Sequence, residues 1–172
     1  PIKTSEGDEY LVLIESMAMD TLFDEEDIAF LNGVNLVEIT LERVSGNHKT
    51  TAKVLTEISQ FIAGVINDNS NSILYFYCDD MHDIPRRDKF TSPQKFRSNL
   101  FSRMFDRYIT SNGIDDYINT PLEIKADRSI YIHLISRKQH QGYVDCIQLL
   151  AGLGLLKKST DMEKIISEMK SN

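Results

Sequence analysis

One segment of this chain, Ile73–Cys78, is apolar or aromatic at every position. A strand without a polar face is typical of the centre of a sheet that is covered on both sides. Before it, apolar residues recur at intervals of three and four from Thr50 to Asn67, which predicts an amphipathic helix. Earlier still, apolar and polar residues alternate over 37–44, which predicts a strand with one wet face. We therefore expect a βαβ unit with parallel strands, and a split arrangement with antiparallel neighbours stays open as the alternative.

The same periodicities predict the remaining elements. They are a strand at Tyr10–Ile14, a helix opened by Ser92 and Pro93, a hairpin of Leu122–Ala126 with Ile130–Ile135, and helices at 144–151 and 160–169. The sequence thus predicts an α+β fold, with a mixed sheet of about five strands packed with three to four helices. We expect residues 1–158 to form a single domain. Residues 159–172 are expected to form an amphipathic helix that packs on this domain or on a partner.

Composition excludes several classes of protein. A chain of 172 residues buries enough apolar surface to fold without disulfides or metals. No apolar run approaches the roughly 20 residues that cross a bilayer, and the first residues lack the pattern of a secretory signal. Cys78 and Cys146 lie far apart in the sequence, and no two histidines have metal-ligand spacing. We expect a cytoplasmic protein with no membrane partner, no cofactor and no metal site.

Charge is distributed unevenly along the chain. Residues 1–47 hold eleven acids against two bases, whereas residues 82–107 hold seven bases against three acids. The net charge of −7 disfavours nucleic acid as a partner, because phosphate is repelled by a field of the same sign. The basic segment keeps that possibility open through a candidate basic patch. Its residues are Arg86, Arg87, Lys89 and Arg103.

The end of the apolar strand and the helix that follows it supply the main candidate site. On a helical projection Arg97 falls inside the apolar arc of its helix, between Met104 and Tyr108. An arginine aimed at a core requires a partner, and Asp79 and Asp80 are the nearest carboxylates in this scheme. We interpret the three residues as a structural ion pair, with an anion-binding site as the alternative.

Two weaker patterns raise metal chemistry. Asp79 and Asp80 together with His82 could hold a divalent cation at the end of the strand. Glu123 and Lys125, with Asp115 upstream, resemble the spacing of a nuclease in which carboxylates hold magnesium and a lysine orients water. Such spacing is frequent by chance on wet strand faces, so a solvated hairpin is the favoured interpretation. His133 is expected to be a packed, hydrogen-bonded residue on its strand.

The motif around Cys78 and Arg97 carries a family resemblance. Tyr75–Asp79 is an apolar strand that ends in Cys-Asp, and Arg97–Phe105 reads close to R-x-R-L-F-x-R-W-F. In these features the chain resembles a family of small uncharacterised bacterial proteins, a domain of unknown function. It departs from the family pattern at Asn99 and Met104, and the likeness extends over residues 37–135. The resemblance implies no activity, but it implies that the strand end and the arginine-rich helix act together.

These observations favour one function over another. No catalytic set converges in the sequence, whereas blocks of opposite charge and a C-terminal amphipathic helix offer docking surfaces. We therefore expect a non-catalytic cytoplasmic protein-interaction module that binds another protein or itself, with a homodimer as one form. The alternative is a metal-dependent phosphodiester hydrolase or a nucleotide-binding enzyme.

Overall fold

The computed structural model describes residues 1–18, 23–24, 26, 29–48, 51–68, 70–78, 91–125 and 128–153. It contains a mixed sheet of six strands in the order β1-β2-β3-β4-β6-β5. The strands are β1 (Ile2–Lys3), β2 (Glu9–Met17), β3 (Asn35–Ser45), β4 (Ser72–Cys78), β5 (Tyr117–Ile124) and β6 (Ile130–Arg137). The α-helices are α1 (Ala52–Asp68), α2 (Pro93–Ser111) and α3 (Gln141–Gly152), and short 3-10 turns occupy Ala29–Leu31 and Lys138–His140. The expected α+β class is confirmed, with one strand more than expected.

The βαβ unit is the centre of this sheet. β3 and β4 pair in parallel, with Leu36 opposite Ile73 and Ile39 opposite Phe76, and α1 connects them. The expected parallel pairing is therefore confirmed, and the alternative split arrangement is wrong. β4 pairs on its other side with β6 in the antiparallel direction, so it lies in the interior of the sheet. Its uninterrupted apolar sequence matches that position.

Helices cover both faces of the sheet because β4 presents apolar side chains in both directions. On one face, Leu74 packs with Val54 and Ile58 of α1, and Phe101 of α2 borders the same cluster. On the other face, Tyr75 packs with Val144 and Ile147 of α3. None of the helices among the described residues has the length and apolar character that a bilayer span requires.

Several strands are longer than the sequence predicts, and β1 is not predicted at all; β2 extends to Met17, three residues past Ile14. β5 begins at Tyr117, five residues before the predicted start at Leu122. The prediction started late because Asn119, Thr120 and Pro121 interrupt the apolar pattern of the strand. Proline is tolerated there since β5 is an edge strand, where one ladder hydrogen bond can be missing. The two residues of β1 are too few to produce a periodic signal. The expected helix at 160–169 and its boundary at 158/159 lie outside the described residues.

A buried aspartate joins the β1–β2 turn to the end of β3. Asp8 is fully buried, and its Oδ1 lies 3.1 Å from Nδ1 of His48. The backbone N–H of Asp8 donates to Oγ1 of Thr4 at 3.1 Å. Gly46 lies against Asp8 with φ of +89°, so a side chain at position 46 would overlap the aspartate. Gly7 has almost the same φ, +90°, but open space around it.

These two glycines separate backbone strain from packing. Gly7→Ala introduces only the strain of positive φ and is expected to lower the free energy of unfolding by about 1 kcal/mol. Gly46→Ala introduces the same strain together with an overlap with Asp8, and is expected to cost roughly 1–3 kcal/mol more. Urea unfolding of both variants and the wild type measures the difference. Equal losses would show that the contact between position 46 and Asp8 is not restrictive.

Candidate functional site

The site expected at the end of β4 is described only in part. Cys78, the last residue of β4, is buried, and Asp79 and Asp80 lie outside the described residues. Arg97 is half-buried on α2. The ion pair and the alternative anion site therefore stay predictions.

The candidate basic patch is described at one of its four positions. Arg103 is exposed on α2. The other members, Arg86, Arg87 and Lys89, lie outside the described residues, as does His82 of the first metal pattern.

The nuclease-like pattern is not assembled into a metal site. Asp115, Glu123 and Lys125 are all exposed, and Lys125 lies one residue past the end of β5. Glu123 instead accepts a hydrogen bond of 3.1 Å from the hydroxyl of Tyr131 on the adjacent strand. Hydrogen bonds from Ser129 and Tyr131 lower the pKa of the Glu123 carboxyl. Across the residues that the structure describes, no three of His, Cys, Asp and Glu are grouped to hold an ion.

A buried polar chain between α2 and the sheet is the site that sequence reasoning missed. His133 on β6 is fully buried, and its Nε2 lies 2.9 Å from Oγ of Ser98 on α2. Its Nδ1 lies 2.9 Å from Oδ1 of Asn119 on β5. The Asn119 amide donates in turn to Oγ of Ser102 at 3.4 Å. The hydrogen bonds thus run from one helix through two strands and back to the same helix.

The orientation of the Asn119 amide assigns the tautomer of His133. Because the Asn119 amide nitrogen donates to Ser102, the Asn119 oxygen faces the ring and accepts from Nδ1–H. Nε2 then carries no proton, so the Ser98 hydroxyl donates to it. Burial lowers the pKa of His133 to about 4, which keeps the ring neutral at physiological pH.

Serine, histidine and an orienting side chain in this order also occur in nucleophilic hydrolases. In such enzymes the nucleophile faces a space for the substrate carbonyl and donors for the oxyanion. Here Ser98 has 6% of its surface exposed and His133 none, and the Phe101 ring centroid lies 4.7 Å from that of His133. Burial this deep shields Ser98 from a substrate. We interpret this row of hydrogen-bonded side chains as a polar attachment of α2 to the sheet.

The inward stripe of α2 differs from the apolar arc read from its sequence. The buried residues are Gln94 and Ser98, and Phe101 and Phe105 border the core at the following turns. Gln94 donates to the backbone oxygen of Ser129 at 3.2 Å. A sequence signal did exist, because Gln94, Ser98, Phe101 and Phe105 share a helical stripe opposite a strand that carries a histidine. The sequence prediction instead placed Arg97 inside the apolar arc, between Met104 and Tyr108.

The outer edge of β2 is a second feature that the sequence analysis did not identify. β1 covers only its beginning, where Ile2 lies opposite Tyr10 and Lys3 opposite Glu9. Within the described part of the chain, no strand pairs with residues 11–17 on the side away from β3. Leu13 and Ile14 point to opposite faces of the sheet, and they are 43% and 38% exposed. Among the described residues, the outer edge of this stretch is therefore unpaired, and its residues 13–16 are exposed.

No family model, no curated protein and no solved structure matches this chain. The resemblance to the bacterial family of unknown function stays a prediction.

The buried hydrogen bonds predict that two serines of α2 contribute unequally to the free energy of unfolding. Ser98→Ala leaves the Nε2 acceptor of His133 buried without a donor, and we expect a loss of about 1–3 kcal/mol in the free energy of unfolding. Ser102 is half-buried, and its bond to Asn119 is long at 3.4 Å, so Ser102→Ala is the matched control with a loss below about 0.5 kcal/mol. Urea unfolding compares the variants. Equal losses, or labelling of Ser98 by a fluorophosphonate in the native protein, would contradict this interpretation.

The neutral state of His133 predicts a pH dependence of stability. Its pKa falls from 6.5 to about 4 on folding, so between these values the unfolded chain binds a proton that the folded chain does not. The contribution of His133 is therefore complete above pH 6.5 and decreases toward pH 4, by at most about 3 kcal/mol. Urea unfolding at intervals across this range measures the slope. His133→Gln is the control, and an identical slope in wild type and variant would contradict the prediction.

Proposed function

We propose that this protein is a non-catalytic interaction module of the cytoplasm, and that it binds its partner through the open edge of β2. The observation that carries the proposal is the exposure of four consecutive residues, 13–16, whose partner strand within the described parts of the chain is β3 alone. A row of backbone donors and acceptors along an uncovered edge is a template for a further strand. The exposed Leu13 and Ile14 would add apolar contact on both faces of that strand.

The opposite edge of the same sheet supports this choice. β5 contains Pro121, which has no N–H to donate, and an exposed Glu123. Proline and charge are the means by which proteins prevent pairing at an exposed edge. The open stretch of β2, LVLIESM, has no proline and a single charge, Glu15. Of the two edges, β2 is the one suited to accept a strand.

The state of the cysteines is compatible with the proposed compartment. Cys78 is buried at the end of β4 and Cys146 is half-buried on α3, and neither forms a disulfide. Cysteines held as thiols are typical of proteins in a reducing compartment.

Electrostatics indicate which strand the edge favours. Glu15 lies on β2 itself, with Glu38 opposite it on β3, and Glu42 lies opposite Leu11. A positively charged residue on an added strand would lie beside the carboxylate of Glu15, and the carboxylates of Glu38 and Glu42 lie one strand farther in.

A synthetic strand tests the proposal. The peptide Lys-Val-Lys-Val-Lys-Val-Lys, labelled with fluorescein, is expected to bind the full chain in an anisotropy titration at low salt. Leu13→Lys is expected to weaken binding at least about tenfold, since it places charge on the edge. Thr40→Lys is the matched control, because Thr40 lies opposite Leu13, is exposed and gains the same charge, but lies on the inner strand β3.

The same peptide with proline in place of valine lacks three N–H donors, and we expect it not to bind. Equal binding of the two peptides, or an equal effect of Leu13→Lys and Thr40→Lys, would show that attraction is only between charges. If the valine peptide also failed to bind, this result would count against the edge as the interaction surface.

A further inference from the structure

We propose that Asn112 and Gly113, at the end of α2, form a site of spontaneous covalent modification in which the side-chain amide of Asn112 is converted to a carboxylate. Water is the co-reactant, and ammonia is released. The site is independent of the proposed function, since it lies on α2 and not at the edge of β2.

The chemistry follows from an asparagine that is directly followed by glycine. The backbone nitrogen of Gly113 bonds to Cγ of Asn112, its proton passes through solvent to the side-chain nitrogen, and that nitrogen leaves as ammonia. The product is a cyclic succinimide. Water then opens the ring at one of its two carbonyl carbons, which gives aspartate or isoaspartate. Glycine favours ring closure because it has no Cβ to obstruct the approach of its nitrogen.

The end of α2 exposes this pair and holds its reacting nitrogen weakly. Asn112 is the C-cap of the helix, and both it and Gly113 are exposed. Gly113 has φ of +62°, and among the described residues no atom beyond its two neighbours lies within 4 Å of the place of a Cβ. Its N–H donates to the oxygen of Thr110 at 3.4 Å, whereas the N–H of Ile114 donates to that of Ile109 at 2.9 Å. A distance of 3.4 Å is long for such a bond, so little energy is lost when it breaks.

A second Asn-Gly pair in the same chain, Asn32 and Gly33, provides an internal comparison. Both of its residues are exposed as well. The Asn32 amide donates to the backbone oxygen of Ala29 at 2.9 Å. The Asn112 amide donates to the backbone oxygen of Tyr108 at 2.8 Å. Exposure and side-chain hydrogen bonds therefore do not distinguish the two pairs.

The backbone on either side of the two pairs does distinguish them. Leu31 and Val34, which flank the earlier pair, are both buried in the core. The carbonyl of its glycine also accepts a hydrogen bond of 2.7 Å from the Asn71 amide. Ring closure requires rotation of the backbone at the asparagine, which would pull on these buried side chains. At the end of α2 the same rotation frays a helical terminus whose residues 110–113 are exposed, so Asn112 is the residue that converts.

The product loosens the end of α2. A carboxylate at position 112 cannot donate to the backbone oxygen of Tyr108 as the amide does. Its charge lies at the helix end where the last carbonyl groups are already partly negative, and Asp115 and Asp116 follow in the sequence. The modification thus adds a negative charge and weakens the last turn of the helix.

Incubation of the full chain in mildly alkaline buffer, followed by tryptic peptide mapping with mass spectrometry, tests the site. In the native protein we expect Asn112 to convert at least about fivefold faster than Asn32, because the end of α2 opens more readily than a segment anchored in the core. In urea we expect similar rates at the two positions, since only the local sequence then acts. Absence of conversion at Asn112 in the native protein, or conversion of Asn32 at the same rate, overturns the proposal.

Two variants at position 112 test the mechanism and its consequence. Asn112→Asp carries the charge of the product, and the amide protons in the last turn of α2 are expected to exchange with solvent at least about threefold faster than in wild type. Asn112→Gln is the matched control, because it keeps the amide but requires a larger ring that closes more slowly, and we expect far slower conversion. Exchange in Asn112→Asp equal to that of wild type would show that the product does not loosen the helix. Conversion of Asn112→Gln at the wild-type rate overturns the ring mechanism.

Discussion

The burial of β4 on both faces is the constraint on which the rest of the structure depends. A strand with side chains such as Leu74 and Tyr75 on opposite sides loses apolar stabilisation unless each side is covered. α1 and α2 provide that cover on one face and α3 on the other. Because the helices that the structure describes cover the middle of the sheet, β2 has less cover among the described residues. The exposure of β2 is thus a consequence of the position of β4.

Much of this architecture could be predicted because periodicity reports burial directly. The all-apolar β4, the alternating β3 and the helical repeat of α1 each contain the signal of the face that they bury. The class and the parallel β3–β4 pairing follow from those three segments. β5 was less predictable, since Asn119 and Pro121 are polar or turn-forming in sequence and become strand residues only through pairing with β6.

The stripe of α2 carries part of the signal for the buried site, but the contacts between its members could not be predicted because they lie far apart in the sequence. Ser98, Asn119 and His133 belong to three different elements, and the contacts between them depend on the order in which the strands lie. His133 was expected to be packed and hydrogen-bonded, and the structure confirms this. Its partners required knowledge of the inward side of α2. Polar residues at Gln94 and Ser98 obscured that side, because hydrophobic patterning treats them as solvent-facing.

The two edges of the sheet explain why strand addition would be confined to one side. At the side of β2, the described residues 13–16 are exposed and pair only with β3, so their outer row of backbone donors and acceptors can accept a further strand. At the far side, Pro121 of β5 interrupts the row of donors. The negative charge of residues 1–47 adds repulsion between copies of the chain at longer range. Sheet topology and charge thus direct an added strand to one edge and oppose open-ended stacking of sheets.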